Sequence, residues 1–407
     1  MNDSYEKFRN PVIRWIDARL PVFSLVKKEY GSFASPRNLN YGWSFGAIAL
    51  FMLFMMIGTG AFLAMQYIGH VDLAFDSVER IMRDVNHGWL IRSLHSTGAS
   101  MFFFIVYLHM ARSLYYGSYK SPREMLWITG VLMFFLMMGT AFMGYVLPWD
   151  QVGYWGATVI TSMLSAIPII GDTIVEWALG CFAVGNPTLA RFYAIHFILP
   201  FIICGVLVLH IWTLHVTGSN NPLGIEPKTT KDTITFHPFY TVKNMFALTV
   251  FLIVYLGMVF FASDFFSHPD NYIQADPLVT PEHIAPKWYF LPFYAILRAV
   301  PFKLGGVIAM LGSVGVLFLV PWLDTSKVRS ARFRPVFRLL TVLLFFDVLL
   351  LGLVGSMPAE GVWIVLGRTC AVWYFAHFLV FLPVAGKLER PLPMPGSIAE
   401  ADGGDTP

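Results

Sequence analysis

Four histidines at one repeated spacing carry the clearest chemistry in this sequence. His95 and His109 are 14 residues apart, and so are His196 and His210. On an α-helix that interval is nearly four turns, so each pair shares one face, about 21 Å apart along the axis. Neutral imidazole is an iron ligand, and bis-histidine ligation of a haem needs one ring from each side of the plate. Two such helices running in the same direction would hold two haems at two depths. His95 and His196 would flank one iron, His109 and His210 the other. Glycines recur at the same interval, Gly46 with Gly60 and Gly130 with Gly144. A residue without a side chain lets a flat group approach the backbone. Arg92 lies three residues before His95 and Arg112 three after His109. Each could meet a haem propionate from the same helical face. A single histidine in a membrane helix is otherwise a packing residue or a proton relay, and small residues also serve plain helix packing. The matched spacing across four segments is what favours haem.

The elements that position these residues follow from composition. Of 407 residues, 56% are hydrophobic and 13% charged, against about 25% charged in a soluble domain. So little charge cannot clothe a water-facing surface of this size. The net charge of +3 is small and dispersed, which gives no basis for nucleic-acid binding. Cys181, Cys204 and Cys370 form no CxxC or metal spacing, so neither a disulfide framework nor a thiolate site is expected. Uncharged runs long enough to cross a bilayer are 42–69, 93–111, 125–149, 192–217, 244–263 and 304–323. Two more, 336–357 and 362–385, each hold one ionisable residue, Asp347 and Arg368. A ninth apolar run, 151–171, is broken by Gly153, Gly156 and Pro168. Counting it as a span would put the acidic connections on the side where lysine and arginine belong. With eight spans, Lys120, Arg123, Lys228, Lys231, Lys243, Lys327, Arg329, Arg332 and Arg334 gather inside, together with both termini.

The expected fold is an all-α membrane protein with eight transmembrane helices, the first four forming a di-haem four-helix bundle. Residues 1–40 lack a signal-type apolar core, and 11–30 form an amphipathic interfacial segment. The di-haem bundle covers 41–217, with outer surface helices at about 151–180. Four more helices and an outer loop at 264–299 cover 218–385. The tail 386–407, rich in Pro, Gly, Asp and Glu, is expected to be disordered.

Longer segments are specific enough to indicate a family. RDVNHGWLIRSLHSTGASMFFFIVYLHMARSLYYGSY (83–119), GTAFMGYVLPWDQVGYWGATVITSMLSAIP (139–168), HVTGSNNPLG (215–224), FHPFYTVKN (236–244), HPDNY (268–272) and HIAPKWYFLPFYAILRAVPFKLGG (283–306) resemble cytochrome b of the ubiquinol–cytochrome c reductase (cytochrome bc) complex. The likeness runs over 38–385. The spacing of 14 in the fourth span is that of the bacterial and mitochondrial form, since chloroplast-type relatives have one residue more there and are split into two chains. The resemblance implies a proton-translocating oxidoreductase with two haem b groups and ubiquinol and ubiquinone as substrates. It implies a Rieske iron–sulfur protein and a membrane c-type cytochrome as partners, a homodimeric complex, and residence in a bacterial inner membrane or its equivalent. By this likeness His95 and His196 hold the low-potential haem, and His109 and His210 the high-potential one. Phe142, Tyr145, Gly156, Ile160, Phe290 and Tyr294 fall at the outer quinol site. His215, Ser219, Phe236, Lys243 and Asn244 fall at the inner quinone site, where a histidine, titrating near neutrality, could protonate a reduced quinone.

Three positions depart from the family pattern. Its Pro-Glu-Trp-Tyr appears as Pro286-Lys287-Trp288-Tyr289, its Pro-Trp-Gly-Gln as Pro148-Trp149-Asp150-Gln151, and an inner-site Asp as Asn244. Protonated lysine only donates hydrogen bonds. Asp150 is therefore expected either to pair with Lys287 or to take over proton acceptance from the missing Glu. The alternative is that Asp150 faces water and Lys287 swings to solvent. Two other functions compete. A passive di-haem conduit would need no quinone sites, and a proton-coupled transporter with intramembrane histidines would bind no haem.

Overall fold

The computed structural model describes residues 8–282 and 284–401. Among them, eight helices are long and apolar enough to cross a membrane: α1 (Tyr41–Ala64), α2 (Gly88–Tyr116), α3 (Glu124–Val146), α4 (Asn186–Thr217), α5 (Phe236–Phe261), α6 (Lys303–Leu323), α7 (Pro335–Ser356) and α8 (Gly361–Leu388). Their outward faces carry large apolar side chains. Phe54, Phe201 and Phe346 are each more than half exposed, as is expected where the solvent is hydrocarbon rather than water. The run 151–171 is not a span. It folds as a helix at Gln151–Ser162, a tight turn at Met163–Ala166 and the start of a second helix at Gly171–Leu179. Twelve residues of helix rise only about 18 Å, short of a bilayer core.

Helix α1 lies along α2, and α3 along α4, as the two most extensive pairings among α1–α4. Helix α5 packs on α2 and α1, and α6 on α3. A short helix at Leu291–Ala299 is wedged against α6, α7 and α8 and buries Phe293, Ala295 and Ile296.

The connections are fixed by polar contacts. On one side the 264–299 segment is clipped to the end of α3, because Gln151 N donates to Ile273 O (3.0 Å) and Ala275 N to Trp149 O (3.0 Å). On the other side, strand β1 (Ala34–Pro36) pairs antiparallel with β2 (Thr233–Thr235), Ser35 opposite Ile234. There too Asp324 receives Lys120 and Arg334, each at 2.8 Å, and Arg334 also reaches Glu389 at 3.3 Å. This buried ion network ties the α2–α3 connection to the ends of α6, α7 and α8.

Two terminal segments have definite courses. Residues 11–31 form helices at Pro11–Asp17 and Val22–Val26 and a further turn at Lys27–Gly31, with Trp15, Leu20 and Leu25 exposed. The expectation of disorder from 386 onward is corrected for 386–401. Leu392 N donates to Phe333 O (2.8 Å), Ile398 is fully buried against Leu223 and Phe333, and Ala399 N donates to Asp232 Oδ1 (2.9 Å). Two apolar side chains and a waiting carboxylate outweigh the polar composition. Residues 402–407 of that tail, and 1–7 of the N-terminal segment, lie outside the described residues.

Candidate functional site: two histidine pairs and a buried polar cluster

The four glycines and four histidines meet one to one. A Cβ built on Gly60 would lie 3.0 Å from His95 Cε1, and one on Gly144 only 2.3 Å from His196 Cε1. On Gly46 it would lie 3.2 Å from His109 Cε1, and on Gly130 3.3 Å from His210 Cε1. Helix α1 thus makes room for the rings of α2, and α3 for the rings of α4.

Hydrogen bonds decide the tautomers. Thr59 Oγ1 gives its proton to Met55 O (2.8 Å), so toward His95 Nδ1 (2.9 Å) it can only accept. Thr129 repeats this, donating to Met125 O (2.8 Å) and accepting from His210 Nδ1 (3.0 Å). His196 Nδ1 donates to Thr140 O (2.8 Å). Three rings therefore carry the proton on Nδ1 and keep the Nε2 lone pair for a metal, the usual support of a ligating histidine. The fourth differs, because Arg112 donates to His109 Nδ1 (3.2 Å). Ligation through Nε2 requires this guanidinium to turn toward a carboxylate. Among the described residues its buried Nε has no partner, nor has Trp43 Nε1, whose ring lies 5.0 Å from the guanidinium carbon. These donors suit a propionate.

His95 and His196 face each other with ring centres 6.3 Å apart. An iron between two imidazoles sets their centres roughly 6 Å apart, from about 2 Å per metal–nitrogen bond and about 1 Å from nitrogen to ring centre. Arg92 lines the same cavity as this pair. The residues present therefore fit a bis-histidine haem.

That cavity is also lined by Tyr145, Asp150, Asn271 and Lys287. Asp150 is 1% exposed. Its Oδ1 caps the 151–162 helix through Gly153 N (2.7 Å), and its Oδ2 accepts from Asn271 Nδ2 (3.1 Å). The same amide nitrogen lies 2.8 Å from Tyr145 Oη. Lys287 Nζ donates to Phe266 O (2.7 Å) and sits 4.5 Å from the Tyr145 ring centre. Burial pushes Asp150 up to about 6, with Gly153, Asn271 and Lys287 pulling the other way. Burial brings Lys287 down to about 8, with Asp150 opposing. The expected direct pairing is thus replaced by a linkage through Asn271 and Tyr145, and the water-facing alternative does not hold for Asp150.

The other outer candidates lie outside this lining. Phe142 packs on Phe192 (5.7 Å), and Phe290 on Tyr289 (4.7 Å). Tyr294 Oη donates to Ile284 O (3.4 Å). Ile160 is half-buried, and Gly156 borders open space. At the opposite end of α4, His215 Nδ1 lies 3.0 Å from Glu29 Oε2 with Phe33 packed at a tilt against its ring (4.5 Å). Phe236 packs on Tyr30 (5.0 Å). Lys243 Nζ donates to Leu39 O (2.6 Å) and Ser219 Oγ to Asn220 O (2.8 Å). Asn244 is half-buried near the start of α5.

Sequence reasoning missed Thr59, Thr129, Asn271 and Glu29. A Thr-Gly dipeptide, 59–60 and 129–130, precedes two of the four ring contacts and was a usable signal. Asn271 and Glu29 act across 126 and 186 residues of chain and left none.

Comparison with known proteins agrees with this geometry. The family model described as cytochrome b/b6/petB matches residues 30–218, and that described as cytochrome b(C-terminal)/b6/petD matches 274–375. Cytochrome b of Rhodospirillum rubrum is 58% identical, with 97% of each chain covered. That of Rhodobacter capsulatus is 48% identical, covering 98% of this chain and 96% of its own. A cytochrome b/c1 of Bradyrhizobium diazoefficiens is 54% identical over 96% of this chain and 57% of its own. A solved hyperthermophilic respiratory Complex III contains a chain superposing with a TM-score of 0.88 at 36% identity, over 93% of this chain and 99% of that one. The chain therefore belongs to the cytochrome b family, the haem-b-binding integral membrane subunits of respiratory bc complexes.

Proposed function

We propose that this chain oxidises ubiquinol at an outer site formed around Tyr145, Asp150 and Lys287 and reduces quinone at an inner site around His215, with two haem b groups between them. His95 and His196 would hold one iron, and His109 and His210 the other. When bound, the haems supply reversible one-electron chemistry at two depths of the membrane. The observation that carries the reading is the set of ring–glycine contacts with Nδ1 engaged at each histidine. A proton relay would need a histidine free to exchange both nitrogens, whereas Thr59, Thr129 and the Thr140 carbonyl fix three of them in one tautomer. That disfavours the transporter. The passive conduit is disfavoured by the buried carboxylate and lysine on the cavity shared with His95 and His196.

At the outer site the chain's own groups handle protons. A quinol losing two electrons must release two protons. Asp150 offers a buried carboxylate, and Asn271 joins it to the Tyr145 hydroxyl. Lys287 donates only, so it serves to hold Phe266 and to favour the carboxylate of Asp150. Proton acceptance needs that carboxylate. It forms as pH rises through about 6, so quinol oxidation should rise over the same interval. Asp150→Asn keeps an oxygen for the Gly153 cap and removes the titration. The acid limb of the pH profile should flatten and turnover fall by about 10²-fold. Turnover unchanged across pH would defeat this assignment.

The partners are a membrane c-type cytochrome and a Rieske iron–sulfur protein, in a homodimeric complex. The single-chain cytochrome b/c1 relative supports the first, and family likeness supports the others. The membrane is a bacterial inner membrane or its equivalent, with both termini inside, supported by the placement of lysine and arginine in alternate connections.

A further inference from the structure

The inner site as the family builds it expects an acidic side chain where this chain has Asn244, and an amide cannot titrate. A carboxylate nevertheless reaches the site from elsewhere. Glu29 Oε2 lies 3.0 Å from His215 Nδ1. It comes from the segment ahead of α1, 186 residues away in sequence. That segment is anchored on both sides of the site. Phe33 packs on the His215 ring at the end of α4 in a tilted contact (4.5 Å). Tyr30 packs on Phe236 (5.0 Å) and its hydroxyl lies 2.9 Å from Thr241 Oγ1, at the start of α5. Phe236 N donates to Phe33 O (2.9 Å), which extends the β1–β2 pairing to the edge of the site. Four contacts thus hold Glu29 in register with His215.

We infer that Glu29 is a positioning residue for inner-site proton delivery, supplying from a distant part of the same chain the carboxylate absent at Asn244. The inference rests on the proposed inner quinone site. An ionised carboxylate only accepts hydrogen bonds, so His215 carries a proton on Nδ1 toward Glu29. With Nδ1 held in this way, Nε2 is the nitrogen that, when protonated, donates to one oxygen of the quinone. The quinone takes two electrons, supplied by the family's reaction, and two protons. One leaves His215 Nε2 and is replaced from the inner water; the other reaches the second oxygen from the same water. Lys28, 3.2 Å from Glu29, and His215 hold the Glu29 carboxyl below its ordinary value, so it is ionised at neutral pH. Further titratable groups on the elements packed around the pair are Tyr30, on Thr241 Oγ1, Lys243, turned to Leu39 O, and His237, 3.2 Å from Thr241 Oγ1.

The test is the rate of ubiquinone-dependent reoxidation of the haem assigned to His109 and His210, followed optically across pH in membranes carrying the complete complex. Glu29→Gln, Glu29→Asp and His215→Ala are compared, each with both haem signals intact as the folding check. Glu29→Gln should be about tenfold slower than the parent at neutral pH. Glu29→Asp, which keeps a carboxylate, should restore most of the parent rate. No loss in Glu29→Gln, or an equal loss in Glu29→Asp, would overturn the inference while a dead His215→Ala left the inner site standing. A normal rate in His215→Ala would overturn the inner-site reading itself and this inference with it.

Discussion

At the residue scale, a missing side chain matters as much as those present. Each candidate ligand ring sits where a Cβ would intrude, and the intrusion is graded. Gly144 is the tightest at 2.3 Å and Gly130 the loosest at 3.3 Å. A methyl group at 2.3 Å cannot be relieved without moving backbone or ring, whereas at 3.3 Å a few tenths of an ångström suffice. Gly144→Ala should therefore abolish the haem signal assigned to His95 and His196 and leave the other, while Gly130→Ala should retain both. Optical difference spectra of the purified variants measure this directly. The threonines behind the rings form a second set. Thr129→Val keeps volume but removes the acceptor for His210 Nδ1. Loss of such a supporting bond typically costs 10–100-fold in affinity, so that haem should be lost faster to an excess of a haem-binding protein than from the parent. Equal retention would mean that the threonine only packs.

At the element scale, chain segments far apart in sequence are brought to the sites by backbone pairing and buried charge. The 264–299 segment supplies Asn271 only because it is clipped to Trp149 and Gln151, and Glu29 arrives through the strand pair. The spacing of 14 is a property within one helix, and so it was legible in sequence before any packing was known. The tautomer-fixing contacts lie between helices, and only the repeated Thr-Gly hinted at them. The eight spans were legible from apolar length, and 151–171 was rejected correctly from its breakers. The charge pattern was read too simply. Lys120, Arg123 and Arg334 are buried and paired with Asp324 and Glu226, so they serve the fold as buried ion-pair partners. Burial opposes ionisation of Asp324, but Lys120 and Arg334 outweigh it and hold its carboxyl below the ordinary value. Its stabilising contribution is thus present above the ordinary carboxylate range and lost as pH falls through its lowered value. Asp324→Asn leaves Lys120 buried without its carboxylate and Arg334 with Glu389 alone, and breaking a buried pair in this way typically costs about 3–5 kcal/mol. A lower unfolding temperature in detergent at pH 7, with the difference from the parent narrowing under acid, is the expected outcome. The tail at 386–401 was misread because composition speaks for the average residue. Leu392, Ile398 and the Asp232 carboxylate speak for particular contacts.

At the scale of the whole molecule, two helix pairs hold four rings at two levels, and the remaining helices and connections bring a different polar group to each side. The cavity holding His95 and His196 also holds Asp150 and Lys287, so the proposed electron and proton acceptors share one enclosure at one end. At the other end, His215 stands five residues beyond His210 with Glu29 beside it. The Asp150 and Glu29 assignments both depend on there being two haems held by these histidines. The most direct measurement is an optical redox titration of the purified protein and of variants in which each histidine pair is replaced. Two b-type components with separate midpoints are expected, one disappearing with His95 and His196 and the other with His109 and His210. A single component, or two that both survive loss of a pair, would contradict the assignment of the four histidines.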